Sequence, residues 1–115
     1  MWIQLAFLML TMADQPAASC KPAPQAGKCF VVRGRLRAHN GNPTFRIWPL
    51  GTNRLLGVTG VNPGETPIMP PDLGVSFDKD LHADFTVCPF TPEQPGVMRR
   101  VCIESATRRT SKASR

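Results

Sequence analysis

The stretch that most constrains this chain is residues 83–105, where two β-rich runs flank a segment with two prolines and a glycine. The runs read ADFTVCPF and VMRRVCIES, and TPEQPG lies between them, which is typical of a hairpin with a longer loop. Each run carries one cysteine, Cys88 and Cys102. When these two face each other, four apolar residues share one side: Phe85, Val87, Val101 and Ile103. The stretch therefore predicts a half-buried strand pair closed by a Cys88–Cys102 disulfide.

A second hairpin is predicted around Asn40-Gly41. Residues 29–38 read CFVVRGRLRA, in which Phe30, Val32 and Leu36 alternate with polar or charged positions. Asn-Gly is the pair that best fits a two-residue hairpin turn, because both residues tolerate a positive φ. A turn centred there pairs Leu36 with Phe45.

The outer face of this hairpin is basic. In the predicted register Arg35 faces Arg46, which is unfavourable unless acidic groups or an anion lie between them. Arg33 faces Trp48, where the guanidinium can stack on the ring. Two explanations stay open: acidic residues of segment 72–84 (Asp72, Asp78, Asp80 and Asp84) cover the face, or an anionic partner binds it. The residues that would bind such a partner are Arg33, Arg35, Arg37, Arg46 and Trp48.

The remaining domain adds one strand and a long connection. Residues 54–61 (RLLGVTGV) predict a third strand, and residues 62–80 contain four prolines. A loop of that length is unusual in a compact domain, and its apolar residues indicate that part of it packs on the core. The predicted fold is all-β: a small antiparallel sandwich or partly open barrel of about five strands over residues 29–105.

The N-terminus predicts export. Residues 2–12 form an apolar run that is too short to span a bilayer and suits a signal peptide, although no Lys or Arg precedes it. Small residues lie directly before Cys20, so residues 1–19 are the expected signal peptide and residues 20–28 a linker. The expected location is the periplasm, the cell envelope or the medium.

The four cysteines fit a disulfide framework in an exported chain. Cys20 and Cys29 would form a second disulfide. The residues before Cys20 also resemble a lipoprotein cleavage box, so lipidation of Cys20 and anchoring to a membrane stay open. No C-x-x-C occurs, and neither a metal site nor a cofactor is expected.

The net charge of +6 is unevenly placed, because four of the 14 basic residues lie in the last ten positions. Residues 106–115 are therefore expected to form a disordered basic tail. His39 and His82 lack a nucleophile and an acid at motif spacing, so no enzymatic activity is predicted.

Two long motifs resemble a family of small exported bacterial proteins of unknown function. They are GRLxxxNGxPxxRIWxxGTxRxLGV at residues 34–58 and DFTVCPFTxxxPGxMxxVCIESA at residues 84–106. The resemblance implies export and one compact domain, and it assigns no catalytic residue.

The expected function is that of an exported, non-enzymatic envelope module that binds or supports an unknown partner, such as an envelope protein or anionic polymer. The alternative is a barrel like the oligonucleotide-binding (OB) fold, which would bind an anionic polymer or nucleic acid through its Arg/Trp face.

Overall fold

The computed structural model describes Cys20 and residues 25–114, so the expected signal peptide (residues 1–19) and part of the linker lie outside the described residues. The described chain forms five strands and no helix: β1 Phe30–Ala38, β2 Phe45–Pro49, β3 Leu56–Val58, β4 Lys79–Pro89 and β5 Arg99–Ala113. The predicted all-β class and the number of strands are confirmed for these residues.

The strands form one sheet that closes into a ring in the order β1, β2, β3, β5, β4, with β4 returning to β1. Four neighbouring pairs are antiparallel, whereas β3 lies parallel to β5. The prediction of a purely antiparallel sheet is therefore wrong at this pairing. Because β4 runs antiparallel to β1 and β5 runs antiparallel to β4, β5 points the same way as β1 and β3.

The core fills the inside of the ring with side chains from alternate strand positions. Period-two alternation places one apolar set inward, and its largest fully buried members are Phe85, Leu36, Ile47, Leu81 and Ile103. Burying each such side chain stabilises the fold by roughly 1.5–3 kcal/mol. The same alternation leaves the charged residues of β1 and β2 on the outside.

The long connection between β3 and β4 packs against this core, as predicted. Leu73 is buried in it, and Met69 and Val75 contact the same cluster. The Ile68 N–H donates to the Thr59 carbonyl, and the Ile68 carbonyl accepts from the Ile103 N–H at 3.0 Å. These backbone hydrogen bonds fix Ile68 of the connection beside Ile103 of β5.

Gly34 allows β1 and β2 to approach closely. A Cβ atom at this position would lie 2.7 Å from the Trp48 carbonyl oxygen and 3.2 Å from the Pro49 Cα. Both are backbone atoms of the paired strand, so any larger residue would push the strands apart.

The first hairpin has the predicted faces but not the predicted register. Leu36 pairs with Ile47 rather than with Phe45. The turn spans residues 39–44 and is closed by a hydrogen bond from the His39 N–H to the Thr44 carbonyl at 2.7 Å, so Asn40-Gly41 is only part of it. A shift of two residues keeps every side chain on its predicted side, because the strand period is two.

The terminal hairpin has the predicted register at its loop end, where Cys88 faces Cys102 and Val87 faces Ile103. The register then shifts by one residue between Thr86 and Val87, at a bulge.

The predicted disordered tail is wrong, because residues 106–113 form the second half of β5. They pair with the start of β4, from His82 facing Thr110 to Lys79 facing Ala113. Arg108 lies at an irregularity in this ladder with a φ of 50°, and its guanidinium pairs with Asp84. Backbone pairing and this ion pair together order a segment whose sequence is polar and basic.

Two disulfides are present, Cys20–Cys102 and Cys29–Cys88. The predicted use of all four cysteines is confirmed, but the predicted pairs Cys88–Cys102 and Cys20–Cys29 are wrong. Cys29 directly precedes β1, whose first residue pairs with Val87 on β4, so Cys29 lies beside Cys88. Cys102 bonds to Cys20 instead, and a sulfur in a disulfide cannot carry a thioether-linked lipid at the same time.

Candidate anion-binding face

The five residues singled out from the sequence share the outer side of β1 and β2, and we call them the Arg/Trp face: Arg33, Arg35, Arg37, Arg46 and Trp48. The shifted register changes their pairing, so Arg37 rather than Arg35 faces Arg46. Trp48 faces Arg35 rather than Arg33. Two arginines therefore face each other across the hairpin as predicted, but the pair is Arg37 with Arg46 and lies nearer the turn.

Trp48 is a fixed, exposed aromatic platform. The Arg35 guanidinium lies 5.0 Å from the centroid of its ring, a cation–π contact. The indole N–H donates to the Thr52 carbonyl, which holds the ring in place. The residue is nevertheless 45% exposed, so ring surface is available to a ligand.

Two carboxylates of β4 neutralise part of the face. In the β1–β4 register Asp84 faces Arg33, and Asp80 forms ion pairs with Arg35 and Arg37. Asp80 is only 4% exposed and accepts hydrogen bonds from Arg37 Nε at 3.1 and 3.2 Å. A buried carboxylate needs such a partner, because an unpaired buried charge is costly. Asp80 and Asp84 therefore supply acidic partners as the first explanation expected, but they do so from a strand paired with β1 and not from a segment folded over the face.

Asp84 joins the tail to the same face. One oxygen accepts from Arg33 at 3.4 Å, and both accept from Arg108, at 2.6 and 3.0 Å. The hydrogen bonds from Arg108 lower the pKa of Asp84, and Arg33 adds to this effect. The other two predicted acids lie elsewhere: Asp72 pairs with Arg109, and the Asp78 carbonyl accepts from the Ser114 N–H.

Arg46 differs from the other arginines of the face. Its Nε donates to the Pro43 carbonyl at 2.9 Å, and it faces Arg37 across the hairpin. Within the described part of the chain it forms no ion pair with a carboxylate, whereas Arg33, Arg35 and Arg37 each do. Its positive charge is therefore the least compensated on the face.

Both histidines lie at this face. Burial lowers the pKa of His39 below its ordinary value of 6.5, and the neighbouring Arg46, Arg37 and Arg35 lower it further. His82 faces Arg35 in the β1–β4 register. Its pKa is lowered by burial, then by Lys112 and Arg35. Both rings are therefore mostly neutral at pH 7.

The face is grooved, and its floor includes residues that the sequence analysis missed. Two depressions share Arg35, Trp48 and Asn53. One, of about 380 Å³, is also lined by Arg37, His39, Arg46 and Leu55. The other, of about 630 Å³, is also lined by Leu50, Gly51, Thr52 and His82. The sequence predicted 51–53 only as a turn, and no local signal showed that the turn lies beside Trp48.

An apolar cavity of about 500 Å³ adjoins this region. It lies between the β2–β3 connection and the β4–β5 loop, and Phe30, Val32, Leu56 and Met98 contribute to its lining. Arg54 and Glu93 form an ion pair that links the two loops. Thr52, Asn53 and Leu55 line both this cavity and the grooves of the Arg/Trp face.

Within residues 25–114, no helix is long and apolar enough to cross a membrane. No family model, curated protein or solved structure matched this chain in the comparisons. The family resemblance carried by the two motifs therefore stays a prediction.

Proposed function

We propose that this chain is an exported, non-enzymatic binding module of the bacterial cell envelope whose Arg/Trp face holds an anionic polymer. The observation that carries the proposal is the set of charges and side chains around Arg46. It is a cation beside a second arginine, without an acidic partner among the described residues, and it shares a groove with an exposed tryptophan. A negative group in that groove would relieve the repulsion between Arg46 and Arg37.

The closed five-stranded ring supports an OB-like interpretation of the fold. Barrels of that class bind oligonucleotides and oligosaccharides on a strand face and on hairpin loops next to it. Here the groove with Arg46 reaches His39 in the β1–β2 loop and Asn53 in the β2–β3 connection. A groove that runs from one loop to the next suits a chain-like ligand better than a single small ion.

Export is supported by the two disulfides, which persist in oxidising compartments. Outside the cytoplasm, acidic polysaccharides are the more accessible polyanions, so we favour them over nucleic acid. A single-stranded nucleic acid is the second candidate, because base stacking on Trp48 beside arginines is the usual chemistry of such sites.

Tryptophan fluorescence tests the proposal directly. The full chain carrying Trp2→Phe has Trp48 as its single tryptophan. It would be titrated with polygalacturonate and, separately, with oligo-dT. We expect polygalacturonate to change the Trp48 emission, with an affinity that falls as salt is added.

The Arg46→Ala variant should bind more weakly and with a shallower salt dependence. Arg109→Ala is the matched control, because it removes the same charge from a residue outside the grooves of the face. An equal loss of affinity in both variants would show that overall charge determines binding, and it would contradict a site at Arg46. Binding of oligo-dT but not of polygalacturonate would favour the second candidate.

A further inference from the structure

The apolar cavity lies at one mouth of the ring. The first residues of β1, β3 and β5 and the last residue of β2 line it: Phe30, Leu56, Arg99 and Pro49. These strand ends meet at the same end of the ring, because β2 runs antiparallel to β1 and β3, and β5 runs parallel to β3. The mouth of a β-barrel is a common place for a small-molecule site, and a volume of about 500 Å³ is within the range of such sites.

The floor of this cavity is the apolar core. Leu56 is a buried member of the core, and Phe30 and Val32 pack against it while lining the cavity. Met98 and Val97 line the cavity from the side of the β4–β5 loop. Val97 is 58% exposed, so a ligand that covered it would remove apolar surface from water.

Arg99 places a positive charge in this apolar lining. Its Nε donates to the Thr91 carbonyl at 3.0 Å, and its guanidinium lies 5.2 Å from the centroid of the Phe30 ring. Among the described residues it forms no ion pair with a carboxylate, whereas Arg54 in the same lining pairs with Glu93. A guanidinium that is already held in place loses little freedom when it binds an anionic group.

We propose that this cavity binds the anion of a medium-chain fatty acid, with the aliphatic chain against Phe30, Val32 and Leu56 and the carboxylate on Arg99. The apolar floor accounts for the chain, and the unpaired cation accounts for the charge. A guanidinium and a carboxylate match in geometry and form strong, charge-assisted hydrogen bonds. The inference goes beyond the proposed polymer binding, because neither Arg46 nor Trp48 lines this cavity.

The rim of the cavity can open to admit such a ligand. Arg54 and Glu93 join the β2–β3 connection to the β4–β5 loop, and their side chains are 52% and 57% exposed. An ion pair so exposed to water contributes little to stability. Its opening therefore costs little, and the remaining contacts of the two loops are kept.

Calorimetric titration of the full chain tests the proposal with hexanoate, octanoate, decanoate and decan-1-ol below their aggregation limits. We expect one decanoate per chain, an affinity that rises by about fourfold for each methylene group buried, and weaker binding of decan-1-ol. An affinity that does not depend on chain length, or equal binding of the alcohol, would overturn the proposal. So would binding to phosphatidylglycerol vesicles without binding of free decanoate.

Variants locate the carboxylate and the chain. Arg99→Gln should weaken decanoate binding by about tenfold or more and leave decan-1-ol unaffected, because only the charged hydrogen bonds are lost. Arg109→Gln is the matched control, since Arg109 lies outside the cavity. An equal loss in both variants would contradict the proposal.

Val97→Asp should abolish decanoate binding, because it adds a negative charge and a polar group to the lining. Val31→Asp is its control, because Val31 is similarly exposed and does not line the cavity. The far-ultraviolet spectra of both variants show whether the fold is kept. Full decanoate affinity in a folded Val97→Asp variant would overturn the assignment, and so would a dimer of the wild-type chain that only this variant dissociates, since a second copy would then cover the cavity.

Discussion

Cys88 lies directly opposite Cys102 on the paired strands β4 and β5, yet each is bonded to a cysteine from the N-terminal part of the chain. The covalent links therefore do not close the terminal hairpin on itself. They join it to the start of β1 and to Cys20, across sequence separations of 59 and 82 residues. Loops of that length constrain the unfolded chain more than a short hairpin loop would.

The disulfide pairing predicts a distinct peptide map. Trypsin can cut after Lys28 and after Arg99 or Arg100, which places the four cysteines on separate peptides. Unreduced digests should contain the Cys20 peptide linked to that of Cys102. A Cys88–Cys102 linkage would contradict the structure.

Removal of the Cys29–Cys88 disulfide should lower the free energy of unfolding substantially. The Cys29→Ser, Cys88→Ser double variant opens a loop of about 60 residues, which corresponds to about 4 kcal/mol in the chain-entropy model. Denaturant unfolding measures the loss. The wild-type protein reduced in the same buffer shows the effect of losing both bridges and should be less stable still.

Two arginines of the Arg/Trp face should differ in their effect on stability. Arg37→Ala removes the closest cation from the nearly buried Asp80 and should cost about 1–3 kcal/mol. Arg46→Ala removes a like charge from beside Arg37 and should leave the melting temperature unchanged or raise it. Thermal melts of the two variants side by side test this contrast, and an equal loss in both would refute it.

Stability should fall as the medium is acidified below about pH 6.5. The pKa values of His39 and His82 are lowered in the folded state. The unfolded chain therefore takes up protons first, and stability is lost as the pH falls from 6.5 through the folded-state pKa values. Asp84 acts in a separate range, since its pKa is lowered below 3.8 and its contribution is lost only as the pH falls through that lower value. A His39→Asn, His82→Asn double variant should show a flatter melting profile between pH 7 and pH 5. An unchanged slope would exclude the histidines as its cause.

The second half of β5 should be paired with β4 in solution and should not be disordered. Truncation after Ala106 removes the partners of Lys79, Leu81 and His82 in the ladder, and it removes Arg108 from Asp84. Hydrogen exchange at residues 79–82 should accelerate in the truncated chain, whereas exchange at Phe85 should change less. Equal protection of residues 79–82 in both chains would show that residues 107–113 do not pair in solution.

Export predicts a mature chain that begins at Cys20. The Cys20 N–H already donates to Glu104 in the structure, and cleavage before this residue would turn that hydrogen bond into an ion pair with the new amino terminus. The intact mass of the native protein should therefore lack residues 1–19. Retention of these residues on the native protein would refute export by this route. In the mature chain, Glu104→Gln should reduce stability more than in a chain that keeps them.

The sequence by itself determined which side of each strand faces the core. Period-two alternation placed Leu36 and Ile47 inside and Arg35, Arg46 and Trp48 outside, and an error of two residues in register leaves that assignment unchanged. The facing of Cys88 and Cys102 was also predictable, because a short loop joins the two strands and the apolar pattern fits one register near it.

The tertiary structure alone decided which residues contact each other across the ring. The Cys29–Cys88 disulfide depends on β1 lying beside β4, a pairing between segments about fifty residues apart that no local pattern encodes. The same pairing brings Asp80 under Arg37 and leaves Arg46 without a carboxylate among the described residues. The tail is ordered for a similar reason, because β4 offers it a backbone edge and a carboxylate at Asp84. Local sequence sets the faces of a strand, whereas its partners depend on how the whole sheet closes.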